Sequence, residues 1–246
     1  MSQLIEQALQ RSTDTKAIVM GSGVLDQTGE VFKEVFGGAT CILVADENTW
    51  AVAGAQVQDA MRAAGIEMVE PYIFPGTPTL YAGYENVEML REHLAGLDAI
   101  VCSIAAGTLN DIAKLASGEL ERGYMNVCTA ASMDGYAAFG ASITKDGFKI
   151  TRNCPAPAAL VADLDIMAAA PKRLTATGYG DLIEKVPAGA DWLVADELGS
   201  EAVRDHVWDL VQPPLMDALG DPEGVAAGEP EAIGRLAEEL ILSGLA

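Results

Sequence analysis

Short, continuous apolar runs alternate with helix-patterned segments through the first two thirds of this chain, and that alternation permits few architectures. "KAIVMGSG" reads as a strand running into a turn, and "TGEVFKEVFGG" after it carries a helical period. "TCILVADENT" is a buried strand ending in an acidic turn, "AVAGAQVQDAMRAAG" an amphipathic helix closed by Gly65, and "EMVEPYIFPG" a further strand. The pattern then repeats, with a helix around "YENVEMLREHLAG", a strand in "LDAIVCSIAAG" and a helix in "TLNDIAKLASG". Strands that are apolar on both faces and separated by helices predict a parallel α/β sheet covered on both sides. From about Asp165 the chain reads as helix and turn without strands. The expected organisation is an α/β domain over residues 1–164 and an all-helical domain over residues 165–246.

Charge narrows the functional classes. With 36 acidic and 15 basic residues the net charge is −21, which argues against nucleic-acid binding, since phosphate contacts need a basic surface. The same charge repels anionic membranes and slows anionic substrates unless the site carries its own cations. The four cysteines, Cys41, Cys102, Cys128 and Cys154, form no CxxC pair. Three of them lie in or beside apolar runs, as buried thiols do in a reducing compartment. The start of the chain, "MSQLIEQALQRSTDTK", has no apolar core of a signal peptide, and no run reaches the roughly 18 apolar residues of a membrane span. A cytoplasmic protein is expected.

Open parallel sheets bind ligands at the carboxyl ends of their strands. Asp46 follows "CILVA", where an acid either accepts ribose hydroxyls or caps a helix. In "SIAAGTLNDIAK" a small-residue turn, with Ala105, Gly107 and Thr108, leads into a helix whose N–H groups can hold a pyrophosphate. Thr108 with Asp111 also fits a capping box. "CTAASMDGYAAFGASI", containing Thr129, Ser132 and Asp134, reads as a polar loop suited to a site or an interdomain turn. "TATGYGDLIEK" places Asp181 on a flexible glycine turn, a carboxylate offered as a metal ligand that needs partners elsewhere.

Taken in order, "VADENTW", "AAGTLNDIAK", "TAASMDGYA", "DGFK", "APAALVADLDIMAAAPKRLTATGYGDL" and "ADW" resemble the sn-glycerol-1-phosphate dehydrogenases. These belong to the iron-containing alcohol dehydrogenase and dehydroquinate synthase-like superfamily. The resemblance implies a dinucleotide-binding α/β domain, a helical domain, and a site in the cleft between them. It implies reduction of dihydroxyacetone phosphate, a small phosphorylated ketone, to sn-glycerol 1-phosphate with NAD(P)H and one divalent metal (Zn, Ni or Fe). The metal would polarise the ketone oxygen while the nicotinamide delivers hydride. By matching position, Asp46 would hold the adenosine ribose and so favour NADH. Ala105, Gly107, Thr108 and Asp111 would lie along the pyrophosphate and nicotinamide, and Thr129 and Ser132 would add cofactor contacts. Asp134 would touch substrate, and Asp181 would serve as metal ligand, substrate contact and catalytic residue. Lys185, near Asp181 in sequence, is a candidate for the substrate phosphate.

Departures from the pattern set further expectations. Ala105 and Ala106 stand where the family has glycine and serine, Ala138 replaces a serine, and Ile183 and Glu184 follow "GDL". The family's two metal-binding histidines have no counterpart, because His93 and His206 match neither motif. "LILSGLA" resembles the stretch that precedes the first of those histidines in the family. The 246 residues alone are therefore expected to be inactive and without metal, with a homo-oligomer or a complementing C-terminal chain as partner. The final helix would carry an uncovered apolar face of Ile233, Leu236, Leu240 and Ile241. The alternatives are a nucleotide-binding pseudoenzyme or subunit, and a glycerol or other polyol dehydrogenase.

Overall fold

The computed structural model describes residues 2–246. Six strands, β1 (Ala17–Gly21), β2 (Cys41–Asp46), β3 (Tyr72–Phe74), β4 (Ile100–Ala105), β5 (Tyr124–Cys128) and β8 (Ala159–Asp163), form one parallel sheet. Its order is β1-β8-β5-β4-β2-β3, and a hairpin of β6 (Ala141–Lys145) and β7 (Phe148–Arg152) stands apart from it. Every residue of β5 and β8 is buried, the polar Asn126 and Asp163 included, as befits central strands of a sheet covered on both faces.

Helices cover both faces. α2 (Thr28–Phe36) and α4 (Ala55–Ala63) pack on one side, over Leu43, Cys102, Ile104 and Val127, with the short α3 (Glu47–Thr49) leading into α4 through a π-helical turn. α5 (Tyr84–Ala95) and α6 (Gly107–Glu119) pack on the other, over Ile42, Val44 and Val101. The remaining helices are α1 (Gln3–Leu9), α7 (Leu164–Ala168), α8 (Lys172–Ile183), α9 (Lys185–Glu197), α10 (Asp205–Ala218), α11 (Pro222–Ala227) and α12 (Pro230–Leu245). α1, α7, α8, α10, α11 and α12 contribute to a third core that also takes in Ile18, Cys128, Leu160 and Ala162 of the sheet. No described helix is long and apolar enough to cross a membrane, and all four cysteines are buried free thiols.

The structure corrects two expectations. Ile233, Leu236, Leu240 and Ile241 are not left bare: each is at most 1% exposed. They pack with Ile5 and Ala8 of α1, Leu182 of α8 and Leu215 of α10, a face assembled from both ends of the chain. Residues 141–143, read as the end of the polar loop, instead open the hairpin that runs to Arg152. Its reversal falls on Asp146 (φ 53°) and Gly147 (φ 82°), the pair of left-handed residues that an Asp-Gly hairpin turn requires.

Candidate active site at the carboxyl edge of the sheet

Register brings Gly21 beside Asp163, Asp46 beside Phe74, and Ala105 beside Cys128 along one edge of the sheet. At that edge Asp46 N-caps α3: its Oδ1 accepts from Asn48 N at 2.8 Å and Thr49 N at 2.9 Å, and Thr49 Oγ1 accepts in return from Asp46 N. Asp163 is a buried carboxylate that sequence reasoning passed over. It accepts from the backbone N–H groups of Gly23, Leu25 and Asp165 and so fixes the turn after β1. Its only advance signal is an acid closing the apolar run "ALVAD".

Ala105 ends β4, and α6 begins at Gly107 behind Ala106, with no side chain capping its first turn and no acid within it. This corrects the capping-box reading of Thr108 and Asp111. Thr108 already lies inside the helix, and Asp111 turns inward, where its Oδ2 accepts from Ser142 N at 3.2 Å. Burial pushes the Asp111 carboxyl up to about 6, with Lys114 partly opposing the rise. The 13-residue α6 thus presents its first backbone N–H groups, and the positive end of its dipole, without an internal anion. That donor set fits a dinucleotide pyrophosphate. Gly107 also lets the next loop come close, since a Cβ there would stand 2.9 Å from Met133 Sδ.

Residues 129–142 bring β4, α6 and α8 together. Thr129 N donates to Ala105 O at 3.1 Å, holding the start of the loop against β4. Ser132 Oγ lies 2.9 Å from the buried Tyr136 hydroxyl, which donates to Ala130 O at 2.7 Å. From α8, Thr177 Oγ1 reaches Ser132 O at 3.3 Å, and Gly178 permits contact with Ala131, whose carbonyl oxygen would lie 2.1 Å from an added Cβ. Asp134 N donates to Asp181 Oδ2 at 2.7 Å, and Lys185 Nζ lies 2.7 Å from Asp134 Oδ2. From α12, Ser243 Oγ donates to Asp134 Oδ2 at 3.5 Å. Asp181 therefore stands within α8, not on a flexible turn, and the sequence's lysine candidate is part of the same cluster. Burial and the Asp134 charge raise the Asp181 carboxyl above the usual range. Burial alone would lower Lys185, but Asp134, Asp181 and Glu184 outweigh it and raise its ammonium. Beside this cluster a cavity of about 540 Å³ runs between α9, α10 and the end of α12, lined among others by Trp192, Trp208 and Gln212.

The histidines are elsewhere. His93 lies tilted against Tyr72 with ring centroids 4.7 Å apart, and His206 lines a separate groove with Arg11 of the segment after α1. Among the described residues no three His, Cys, Asp or Glu side chains gather in a way that could hold a metal ion. Asp181 and its neighbours therefore do not by themselves fit a catalytic metal.

These features define a Rossmann-like α/β protein whose candidate site lies between the carboxyl edge of its sheet and a packed set of helices. The chain belongs to the iron-containing alcohol dehydrogenase family, which matches residues 19–171. It is 35% identical over 206 residues to the glycerol-1-phosphate dehydrogenase [NAD(P)+] of Halalkalibacterium halodurans, covering 83% of this chain and 51% of that protein. It is 34% identical over 187 residues to the enzyme of the same name from Methanosarcina barkeri, covering 75% and 50%. The chain spans about half the length of the curated relatives it matches. Among solved structures, a probable glycerol dehydrogenase from Sinorhizobium meliloti superposes with a TM-score of 0.73 at 17% identity, over 94% of this chain and 65% of that one. An iron-containing alcohol dehydrogenase from Thermotoga maritima gives 0.72 at 15%, over 94% and 67%. At these identities the superpositions speak to fold alone.

Proposed function

We propose that this chain carries the nicotinamide-dinucleotide site and part of the substrate site of an NAD(P)-dependent glycerol-1-phosphate dehydrogenase. The whole protein would reduce dihydroxyacetone phosphate to sn-glycerol 1-phosphate. The observation that carries the reading is the meeting of an uncapped helix N-terminus with the Asp134–Asp181–Lys185 cluster across one loop. The names of the relatives support the substrate. Residues 1–164 would form the nucleotide domain and residues 165–246 the helices facing the substrate.

In this reading Asp46 accepts the adenosine ribose hydroxyls, and the carboxylate repels a 2′-phosphate. Ala105, Gly107 and Thr108 border the pyrophosphate with backbone N–H groups, and the buried Asp111 steadies that helix from within. Thr129 and Ser132 orient the nicotinamide half. When bound, the reduced nicotinamide supplies a hydride for the carbonyl carbon. Lys185, charged at neutral pH, offers its ammonium to the substrate phosphate in an otherwise acidic molecule. Asp134 and Asp181 face the substrate oxygens, and Asp181 is the part of a metal ligand set that this chain contributes. No step through a metal is derived, because these residues do not complete one.

A second reading, a nucleotide-binding module without turnover, is favoured by that incomplete donor set. Titrating the whole protein, supplied with a divalent metal, with NADH, following nicotinamide fluorescence, and then adding dihydroxyacetone phosphate separates the two. Saturable binding with turnover that Asp181→Ala abolishes supports the dehydrogenase. Binding without turnover supports the module. A wild-type chain that is folded and binds neither NADH nor NADPH refutes both.

A further inference from the structure

Lys114 lies on the inner face of α6, one turn after Asp111, and is fully buried. Its Nζ donates to three peptide carbonyls, Gly135 O at 2.6 Å, Ala138 O at 2.8 Å and Gly140 O at 3.0 Å. An ammonium has three hydrogens, and here each finds one backbone oxygen. Asp111, the acid nearest in sequence, accepts from Ser142 N rather than pairing with it. Burying an ammonium costs several kcal/mol unless its hydrogen bonds are replaced, so an apolar side chain would fill this space more cheaply. What an apolar side chain cannot do is hold three carbonyl oxygens converged on one point, where their partial negative charges repel. The loop's path and the lysine require each other.

We propose that Lys114 is a positioning residue that locks residues 135–140 so that Asp134 and Ser132 stay in register with the nucleotide end of α6. The inference rests on the functional reading above and deepens it. The loop's other fasteners are spread along it: Tyr136 ties it to Ala130, Gly140 N donates to Cys154 O at 2.8 Å, Asp111 takes Ser142, and Asp181 takes the N–H of Asp134. α12 presses on it from outside, for a Cβ on Gly244 would stand 2.4 Å from Asp134 O. Lys114 holds the stretch between these points. Released there, the loop pivots at Asp134, whose contacts with Asp181 and Lys185 are each 2.7 Å long. Because α6 carries both Gly107 at its start and Lys114 in its interior, one rigid helix sets the pyrophosphate donors and the substrate loop together.

The test compares wild type with Lys114→Met and Lys114→Gln in the full chain. Amide hydrogen exchange of residues 133–141, the melting temperature and the NADH dissociation constant are read for each. Expected for the methionine variant is faster exchange confined to that loop, with NADH weakened about tenfold, equivalent to about 1.4 kcal/mol. Glutamine, with two donors, should fall between. Should the methionine variant not fold, the glutamine variant is read alone against the same criteria. Variants with wild-type exchange and affinity overturn the proposal, as does acceleration spread through the whole sheet with unchanged affinity, the mark of a merely structural role. If wild type binds no NADH, the functional reading falls; loop-confined exchange then still supports the lock, and its absence overturns the lock as well.

Discussion

Replacing Glu239 by glutamine should stabilise the protein, and by more as the pH rises. Glu239 lies on α12, is 2% exposed, and has no hydrogen-bond partner for either carboxylate oxygen. Burial, followed by the charge of Glu238, pushes its pKa up from 4.5 to about 8. The folded chain thus keeps a proton that the unfolded chain releases, so stability is lost as pH rises from the ordinary value through the folded one. At roughly 1.4 kcal/mol per pH unit, that gap makes the full cost of order 5 kcal/mol above pH 8. By the same relation it is about 3 kcal/mol near pH 7 and under about 1 near pH 5. Against a typical total of about 5–15 kcal/mol this is a large share. Glutamine keeps the shape and the unpaired polar atoms but cannot ionise, so only the pH-dependent part disappears. Urea unfolding followed by circular dichroism at about pH 5, 7 and 9 reads the difference directly. A stability gain that is the same at all three values would refute the reasoning. The consequence reaches the site, because α12 also carries Ser243 and Gly244 against the Asp134 loop.

Two further substitutions separate structural from functional roles. Gly178→Ala would gain up to about 1 kcal/mol of helix propensity, yet its Cβ would meet the Ala131 carbonyl oxygen at 2.1 Å, a backbone atom that cannot step aside cheaply. A net loss of about 1–3 kcal/mol and weaker NADH binding are expected, and a raised melting temperature would contradict them. Asp46→Ser retains an N-cap for α3 while removing the carboxylate, so the melting temperature should change little as preference moves from NADH toward NADPH. An unchanged ratio of the two dissociation constants would remove Asp46 from the ribose site.

Much of the α/β architecture was legible because burial on both faces leaves a mark that local pattern can carry. "CILVA" and "ALVA" are continuous apolar runs, and the positions they occupy in β2 and β8 are buried throughout. The hairpin was not legible that way, since "FKITR" is largely exposed and lacks an apolar run. Its usable signal was "KDGF", an Asp-Gly pair between two strands. Glycine misled at Asp181, where "TGYGD" suggested a turn. Gly178 serves a helix that approaches the Ala131 backbone, and chain flexibility plays no part there. The face of α12 was unreadable for a different reason. Its cover comes from α8 and α10 and, more than two hundred residues earlier, from α1, and no window of sequence shows contacts of that range.

The charge argument connects the sequence to the site. A net charge of −21 demands local cations wherever an anionic ligand is to bind. Of the two lysines at the centre of the site, Lys114 is fully committed to peptide oxygens and has no donor left for a ligand. Lys185 differs: its partners are side chains, Asp134 at 2.7 Å and Glu184 at 3.3 Å, and its ammonium borders the large cavity. The carboxylates that keep it charged also compete for it. On the proposed function, an incoming phosphate would take the third Lys185 N–H and compete with Asp134 Oδ2 for the ammonium, and a carboxylate displaced in that way would be free to accept a hydroxyl of the same ligand. On that proposal, such an exchange would reward a molecule bearing both a phosphate and a neighbouring hydroxyl and would disfavour a polyol that lacks the phosphate.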